Sequence, residues 1–287
     1  MSSQSPFPVM EHMTVKMVRD YLEEKQSIII PVGVTEQHGY HLPLATDSIR
    51  AEKMARMIGE KTGIVVAPTL KESYSGGGCP GTINISPSVM SLVVSDMLLS
   101  LADQGFRKFY FFICHGGSEN TIALENAIKM LLRNNPAFQK CLIALLPASK
   151  MDIDQVSRAK ACKMGDWHAG WHETSEIMYL APELVRMDEM ETDHKELLDL
   201  MTTHPDNYQQ AEKIVNDPFV VAKNSQRPSI QVGVMGFPEK ASYEKGREII
   251  MSTVKGACEK INHLESQYDG EYKLVDFTPQ PHPSEIS

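Results

Sequence analysis

Four short apolar runs, each separated from the next by a helical pattern, limit what this chain can fold into more than any other feature. They are "SIIIPVGV" (27–34), "GIVVAPTL" (63–70), "KFYFFICHG" (108–116) and "CLIALLPAS" (141–149). All four have strand character, and the first, with no polar-apolar alternation, reads as a strand covered on both faces. After the first strand, "TDSIRAEKMARMIGEKTG" sets Ile49, Met54, Met57 and Ile58 on one helical stripe, with Thr46 or Asp47 near its start and Gly63 as its stop. "SPSVMSLVVSDMLLSLADQG" opens on a Ser-Pro pair suited to a helix N-terminus and is predicted to turn Val89, Leu92, Val93, Met97 and Leu101 inward. "SENTIALENAIKMLLRNN" does the same with Ile122, Ala123, Leu124, Ile128 and Leu131 or Leu132. Strands joined through helices imply crossover connections, hence a mainly parallel sheet with helices on both faces. The predicted class is therefore a three-layer αβα fold.

Further along, helices are predicted from about Glu173 to Leu180, from about His194 to Met201 and from Tyr243 to about Glu265, while 202–232 carries weak signals. No repeat, linker or composition break divides the 287 residues. One domain over 1–287 is expected, with a core of about 12–265 and a Pro- and Gln-rich tail of about 268–287.

Composition excludes some functions. A formal net charge of -9, with no cluster of Lys and Arg, argues against nucleic acid or an anionic membrane surface as partner. Five scattered cysteines without a CxxC pair make a poor disulfide framework, so a reducing cytosol is expected. The start lacks a basic region followed by an apolar one, and no run approaches the ~18 apolar residues that span a bilayer.

The polar motifs follow the strands. In a parallel sheet the loops at the carboxyl ends of strands form the ligand crevice. The first strand runs into "TEQHGYHLPLATD", the second into "KESYSGGGCPGT", the third into "CHGGSEN", and the fourth leads on to "DWHAGWHETSE". Glu36, His38 and Asp47 are a ligand set for divalent cations such as Zn, Mn or Fe(II), and His115 adds an imidazole after the third strand. A fifth group, Glu173 or Glu119, would be enough for two metals when one carboxylate bridges.

Each residue alone has a plainer reading. Asp47 suits a helix N-terminal cap, His41 suits an outer or exposed position, and Trp167 and Trp171 suit simple packing as well as aromatic walls around His168. "SYSGGGCPGT" lacks the P-loop ending and the dinucleotide spacing, so a substrate-facing loop with the Ser75 hydroxyl fits it better than a phosphate cradle. A thiol nucleophile at Cys114 or Cys79 is the rival chemistry, although adjacent Cys114 and His115 would point to opposite faces of a strand. The distribution of acids, histidines and glycine turns over four strand ends favours a shared site.

Taken together, "PVGVTEQHGYHLPLATD", "CHGGSEN", "HAGWHETS" and "GVMGFPEKASYEKG" resemble the motifs of the creatininase family of amide hydrolases, in the family's order over residues 31–246. The resemblance implies an αβα fold, homo-oligomers that are often hexamers, and two divalent metals, with zinc the first expectation and manganese or iron the alternatives. It implies that Glu36 binds one metal, His38 the other, Asp47 bridges both, and His115 joins Glu36. Glu173 is the favoured acid on the second metal, with Glu119 as runner-up. His168 matches the family's proton-handling histidine and Ser75 its substrate loop. Gly116 stands where creatininase has an aromatic, and Met164-Gly165 replaces its Trp-Asp pair, so the pocket differs beside Trp167. The expected function is metal-dependent hydrolysis of a non-peptide C–N bond in a small cyclic amide, with the water activated between the metals. A formamide or a short modified peptide is the alternative substrate.

Overall fold

The computed structural model describes residues 9–153 and 157–270. In chain order it contains α1 (Val15–Glu24), β1 (Ser27–Val32), α2 (Thr46–Thr62), β2 (Val65–Val66), α3 (Pro87–Asp103), β3 (Lys108–Ile113), α4 (Ser118–Asn134), β4 (Leu142–Pro147) and α5 (Ser157–Lys163). These are followed by α6 (Trp171–Leu180), α7 (Lys195–Thr203), the strands β5 (Gln209–Glu212) and β6 (Lys223–Gln226), and α8 (Tyr243–Gln267). The tail expected from about residue 268 lies outside the described residues beyond 270.

β1 to β4 form one parallel sheet in the order β2-β1-β3-β4. Every residue of β1 and β3 is buried, because side chains on both faces are covered. Ile28, Ile30, Phe109 and Phe111 pack with Met90, Val94 and Leu98 of α3 and Leu124 and Ile128 of α4. The alternate residues Ile29, Tyr110 and Phe112 pack with Met54 and Ile58 of α2 and Ile250, Val254 and Ile261 of α8. The period-2 pleat thus feeds two apolar layers, one on each face, and the three-layer αβα architecture follows. Among the described residues no helix is long and apolar enough to cross a membrane.

Several boundaries and faces differ from the sequence expectations. β2 is two residues long; Pro68 interrupts the run, and single bridges from Leu70 to Val32 and from Val66 to Val9 extend the pairing. In α3 the buried stripe is Met90, Val94, Leu98 and Leu101, while Val89 and Leu92 are exposed and Val93 and Met97 half-buried. The helix is apolar on nearly every side, so its periodicity does not fix its phase; contact with the sheet does. Ile122 and Leu132 of α4 likewise face outward, and Leu131 is the half-buried one. α6 starts at Trp171 rather than near Glu173, and β5 and β6 pair antiparallel inside the stretch that carried weak signals.

Topology places a crevice. From β1 the chain leaves through α2 towards β2 on one side, whereas from β3 it leaves through α4 towards β4 on the other. The carboxyl ends of neighbouring β1 and β3 are therefore the switch point at which open α/β sheets bind ligands.

Candidate metal centre

Loop 33–45 after β1, the first turn of α2, the turn after β3 and the start of α6 converge at that switch point. Glu36, His38, Asp47, His115 and Glu173 are all buried there. Their ligand atoms fall into overlapping groups: Glu36, Asp47 and His115; His38, Asp47 and Glu173; and Glu36, His38 and His168. Asp47 belongs to the first two.

The ring nitrogens decide what these groups can hold. His115 Nε2 lies 3.2 Å from the Tyr74 carbonyl oxygen, which only accepts, so Nε2 carries a proton. Its Nδ1 then faces Asp47 Oδ2 at 3.0 Å and Glu36 Oε1 at 3.1 Å. Similarly, His38 Nδ1 donates to the Glu36 carbonyl oxygen at 3.2 Å. That leaves His38 Nε2 with no hydrogen-bond partner among the described residues, 3.6 Å from Glu173 Oε2 and 3.8 Å from Asp47 Oδ1. A lone pair aimed at carboxylate oxygens is repulsive unless a cation stands between them. Two ligands on one tetrahedral zinc, with bonds of 2.0–2.2 Å, are about 3.4 Å apart, so these separations suit a divalent ion.

The electrostatics point the same way. Burial lowers the pKa of His38, the neighbouring His168 adds to the effect, and the ring stays neutral with its lone pair available. Burial also opposes a charge on His115, but the Glu36 and Asp47 carboxylates outweigh it and push its pKa well up: the pocket draws positive charge to Nδ1. Burial alone would raise Glu173; the Arg50 guanidinium overrides it and brings the carboxyl down to about 2. Glu36 is lowered in the same sense, by His115 against burial.

Arg50 was not legible as part of the site. One turn beyond Asp47 on α2 and buried, it reaches Asp47 Oδ1 and Glu173 Oε1 with Nη1, both at 2.9 Å, and Glu176 Oε2 with Nε at 2.7 Å. Two further residues support the ligands. Asp166 accepts the backbone N–H groups of Trp171 and His172 and thereby caps α6, which carries Glu173. Gln37 donates from Nε2 to the Gly233 carbonyl and accepts from the Gly39 N–H.

The remaining candidates divide. His168 Nε2 donates to the Gln37 carbonyl oxygen at 2.7 Å, and its Nδ1 lies 3.9 Å from Glu36 Oε1. Ser75 is one residue from the Tyr74 carbonyl that holds His115, and its Oγ accepts the Gly77 N–H. A side chain on Gly116 would meet nothing within 4 Å, so open space adjoins His115. Trp167 packs against a small apolar cluster and donates from Nε1 to the Thr202 carbonyl. Glu119 is half-buried on the first turn of α4, lines a surface cleft with Pro87 and Ile122, and belongs to none of the groups found among the described residues.

One plainer reading fails and another narrows. Asp47 does not cap α2, whose N-cap is Ala45 without a side-chain bond; its carboxylate is spent on His115 and Arg50. For His41 the exposed alternative goes and the outer position remains: the ring is fully buried, with Nε2 2.9 Å from Oγ1 of Thr174, the residue after Glu173. The thiol alternative is also weakened, since burial raises the pKa of Cys114 well above its usual value and keeps it a thiol.

Likeness to known proteins identifies the family. The family model Creatininase, described as creatinine amidohydrolase, matches residues 11–261. The mycofactocin precursor peptide peptidase of Mycolicibacterium smegmatis is 28% identical over 252 residues, 85% of this chain and 87% of that protein. The creatinine amidohydrolase of Pseudomonas putida is 26% identical over 248 residues, 82% of this chain and 88% of that protein. Two solved structures share the fold. "Creatininase Mn" has a TM-score of 0.71 at 22% identity, covering 91% of this chain and 99% of that one. A mutant creatininase of "Zn-Zn type" has a TM-score of 0.72 at 23% identity, covering 91% and 98%. Since the family match runs from the first described helix into the last, the chain belongs to the creatininase family.

Proposed function

We propose that this protein is a metal-dependent amide hydrolase in which Glu36, Asp47 and His115 hold one divalent ion and His38, Asp47 and Glu173 a second. The observation that carries the reading is the buried, unpartnered Nε2 of His38, facing the oxygens of Asp47 and Glu173. An imidazole with its other nitrogen tied to a backbone carbonyl, opposed by carboxylates, is a metal ligand with its supporting partner in place. Zinc fits this nitrogen and oxygen set first, with manganese or iron as alternatives. When bound, such a pair of ions polarises an amide carbonyl and makes water acidic enough to attack near neutral pH.

The chain's own groups do the rest. His168, held through Nε2 by the Gln37 carbonyl, keeps Nδ1 on the side of Glu36, where it can take up a proton and pass it to the departing nitrogen. The Ser75 hydroxyl and the open space at Gly116 adjoin the His115 side of the centre and suit substrate contact. Trp167 borders His168 in the chain and would close that wall.

The substrate assigned first is a small cyclic amide cleaved at a non-peptide C–N bond, as the relative that acts on creatinine suggests. A short modified peptide is the second reading. It is favoured by the room beside Gly116 and by the relative called a precursor peptide peptidase. A formamide would use the same centre. Assembly from several copies suits the apolar residues Val89, Leu92 and Ile122 that α3 and α4 leave exposed.

The test is chelator dialysis followed by reloading, with creatinine, a formylated amine and short peptides assayed for released amine or acid. Activity on one of these should vanish with the metal and return with zinc or manganese. Undiminished turnover by metal-stripped protein would remove the reading.

A further inference from the structure

The Arg50 guanidinium is buried behind the carboxylates and in front of Glu176, and the proposed function gives it no task. Its contacts are uneven. Nη1 lies 2.9 Å from Asp47 Oδ1 and 2.9 Å from Glu173 Oε1, so it touches both acids of the His38 group. Of the other group it touches only the shared Asp47, and through the oxygen that does not face His115: Asp47 Oδ2 and Glu36 Oε1 are the atoms near His115 Nδ1.

We propose that Arg50 is a positioning residue for the second metal site, fixing Glu173 so that it binds through one oxygen only and steadying the Asp47 oxygen that faces His38. The inference rests on the two-metal reading above. Glu173 has two oxygens to offer. Oε1 is taken by Arg50, and Oε2 accepts the Ala169 N–H at 2.8 Å while facing His38. A carboxylate pinned at both ends in this way cannot swing to chelate an ion with both oxygens.

Arg50 is itself held. Nε meets Glu176 Oε2 at 2.7 Å, and Nη1 also donates to the Cys114 carbonyl at 3.2 Å. The guanidinium spans these acceptors with two nitrogens, Nη1 towards Asp47, Glu173 and the Cys114 carbonyl and Nε as a charge beside Glu176; an ammonium has one nitrogen and cannot span them. Three ligand carboxylates in one buried pocket also repel one another, and an adjacent fixed cation offsets part of that repulsion.

The experiment uses the full chain, stripped with chelator and titrated with Zn²⁺ alone by calorimetry, with metal content measured after desalting. The wild type should take up two ions. Arg50→Lys should keep one site near wild-type affinity and weaken the other about tenfold to a hundredfold, the range seen when a ligand's supporting partner is lost. Arg50→Met leaves Glu176 buried and unpaired, which by itself can unfold the protein. The double variant R50M/E176M removes both charges and should show the same one-sided loss. X-ray absorption of the zinc-loaded variants should show a higher first-shell oxygen count as Glu173 becomes free to chelate. Two wild-type sites in folded R50K and R50M/E176M, or equal weakening of both sites, overturn the proposal. Failure of the wild type to bind zinc overturns the two-metal reading itself, and the positioning role with it.

Discussion

His115 Nδ1 stands 3.0 Å from Asp47 Oδ2, pressed against a carboxylate by a ring whose other nitrogen is already committed to the Tyr74 carbonyl. Asp47 gives its second oxygen to the side of His38. One side chain therefore serves both groups, and its loss cannot be confined to one of them. Asp47→Ala should empty both positions together and lower turnover by at least about a hundredfold, the upper range for supporting partners alone. Metal analysis beside the activity assay checks this. One retained equivalent of metal in the folded variant would show that Asp47 does not bridge.

Glu173 and Glu119 make opposite predictions. Glu173 is buried with Oε2 turned to His38, whereas Glu119 is half-buried at a surface cleft and accepts a bond from Ser118 Oγ. Glu173→Gln should therefore lose one metal and most activity. Glu119→Gln should keep both metals and change stability by no more than about 0.5 kcal/mol. Metal content of the two purified variants decides between them, and the reverse pattern would move the fifth ligand to α4.

How far the sequence carried can be seen in particular residues. β1 and β3 were legible because a strand covered on both faces has no alternation to disguise it, and α2 because Gly63 stops it in the left-handed conformation, φ 67°. The phase of α3 was not legible: an almost uniformly apolar helix has several plausible inward faces, and only the sheet selects Val94 over Val93. At the site, Glu36, His38, Asp47 and His115 stood out because each follows a strand end at the switch point. The residues alone left Glu173 and Glu119 both open, and the family resemblance favoured Glu173. Arg50 and Glu176 were invisible, since charged residues on amphipathic helices normally read as solvated, and only tertiary packing shows both buried against each other.

Stability should depend on pH through His41. Burial first, and then the charge of His38, push its pKa down from the ordinary 6.5 to about 4. A histidine whose folded pKa is depressed contributes stability that is fully present above the unfolded value and lost as pH falls through the folded one. The window is therefore pH 6.5 down to about 4. Urea denaturation of the metal-free protein at several pH values should show a steeper loss on acidification for the wild type than for His41→Asn. Equal slopes would mean that His41 takes up its proton at the same pH in the folded and unfolded chains.

Asp166 holds three backbone donors: Trp171 N–H at 2.9 Å, His172 N–H at 3.3 Å and Phe237 N–H at 3.0 Å. Removing the acceptor strands these buried groups, at a cost of about 1–3 kcal/mol. It also frees the first turn of α6, where Glu173 sits. Asp166→Ala should thus lower the melting temperature and weaken metal binding together, while Asp166→Asn, which keeps one acceptor oxygen, should recover part of both. A melting shift without any change in metal affinity would separate the helix cap from the centre.

Gly33 ties the sheet to the site most directly. It follows β1, and a Cβ placed there would lie 2.6 Å from both Cα and N of Ser48, the residue after Asp47. Backbone at that distance cannot yield as a flexible side chain does, so either the loop after β1 or the first turn of α2 must move. Overpacking of this kind typically costs about 1–3 kcal/mol. The direction of the movement matters more than its size, because Asp47 rides on that turn while His115 is anchored separately after β3. Gly33→Ala should accordingly widen the gap between the Asp47 carboxylate and His115 and weaken both metals, beyond a lower melting temperature. Calorimetric zinc titration of the folded variant, alongside its thermal melt, reads the two effects separately. Wild-type zinc affinity with a depressed melting temperature would show that the loop gives way and the α2 turn stays, so that the strand-to-helix contact serves the fold alone.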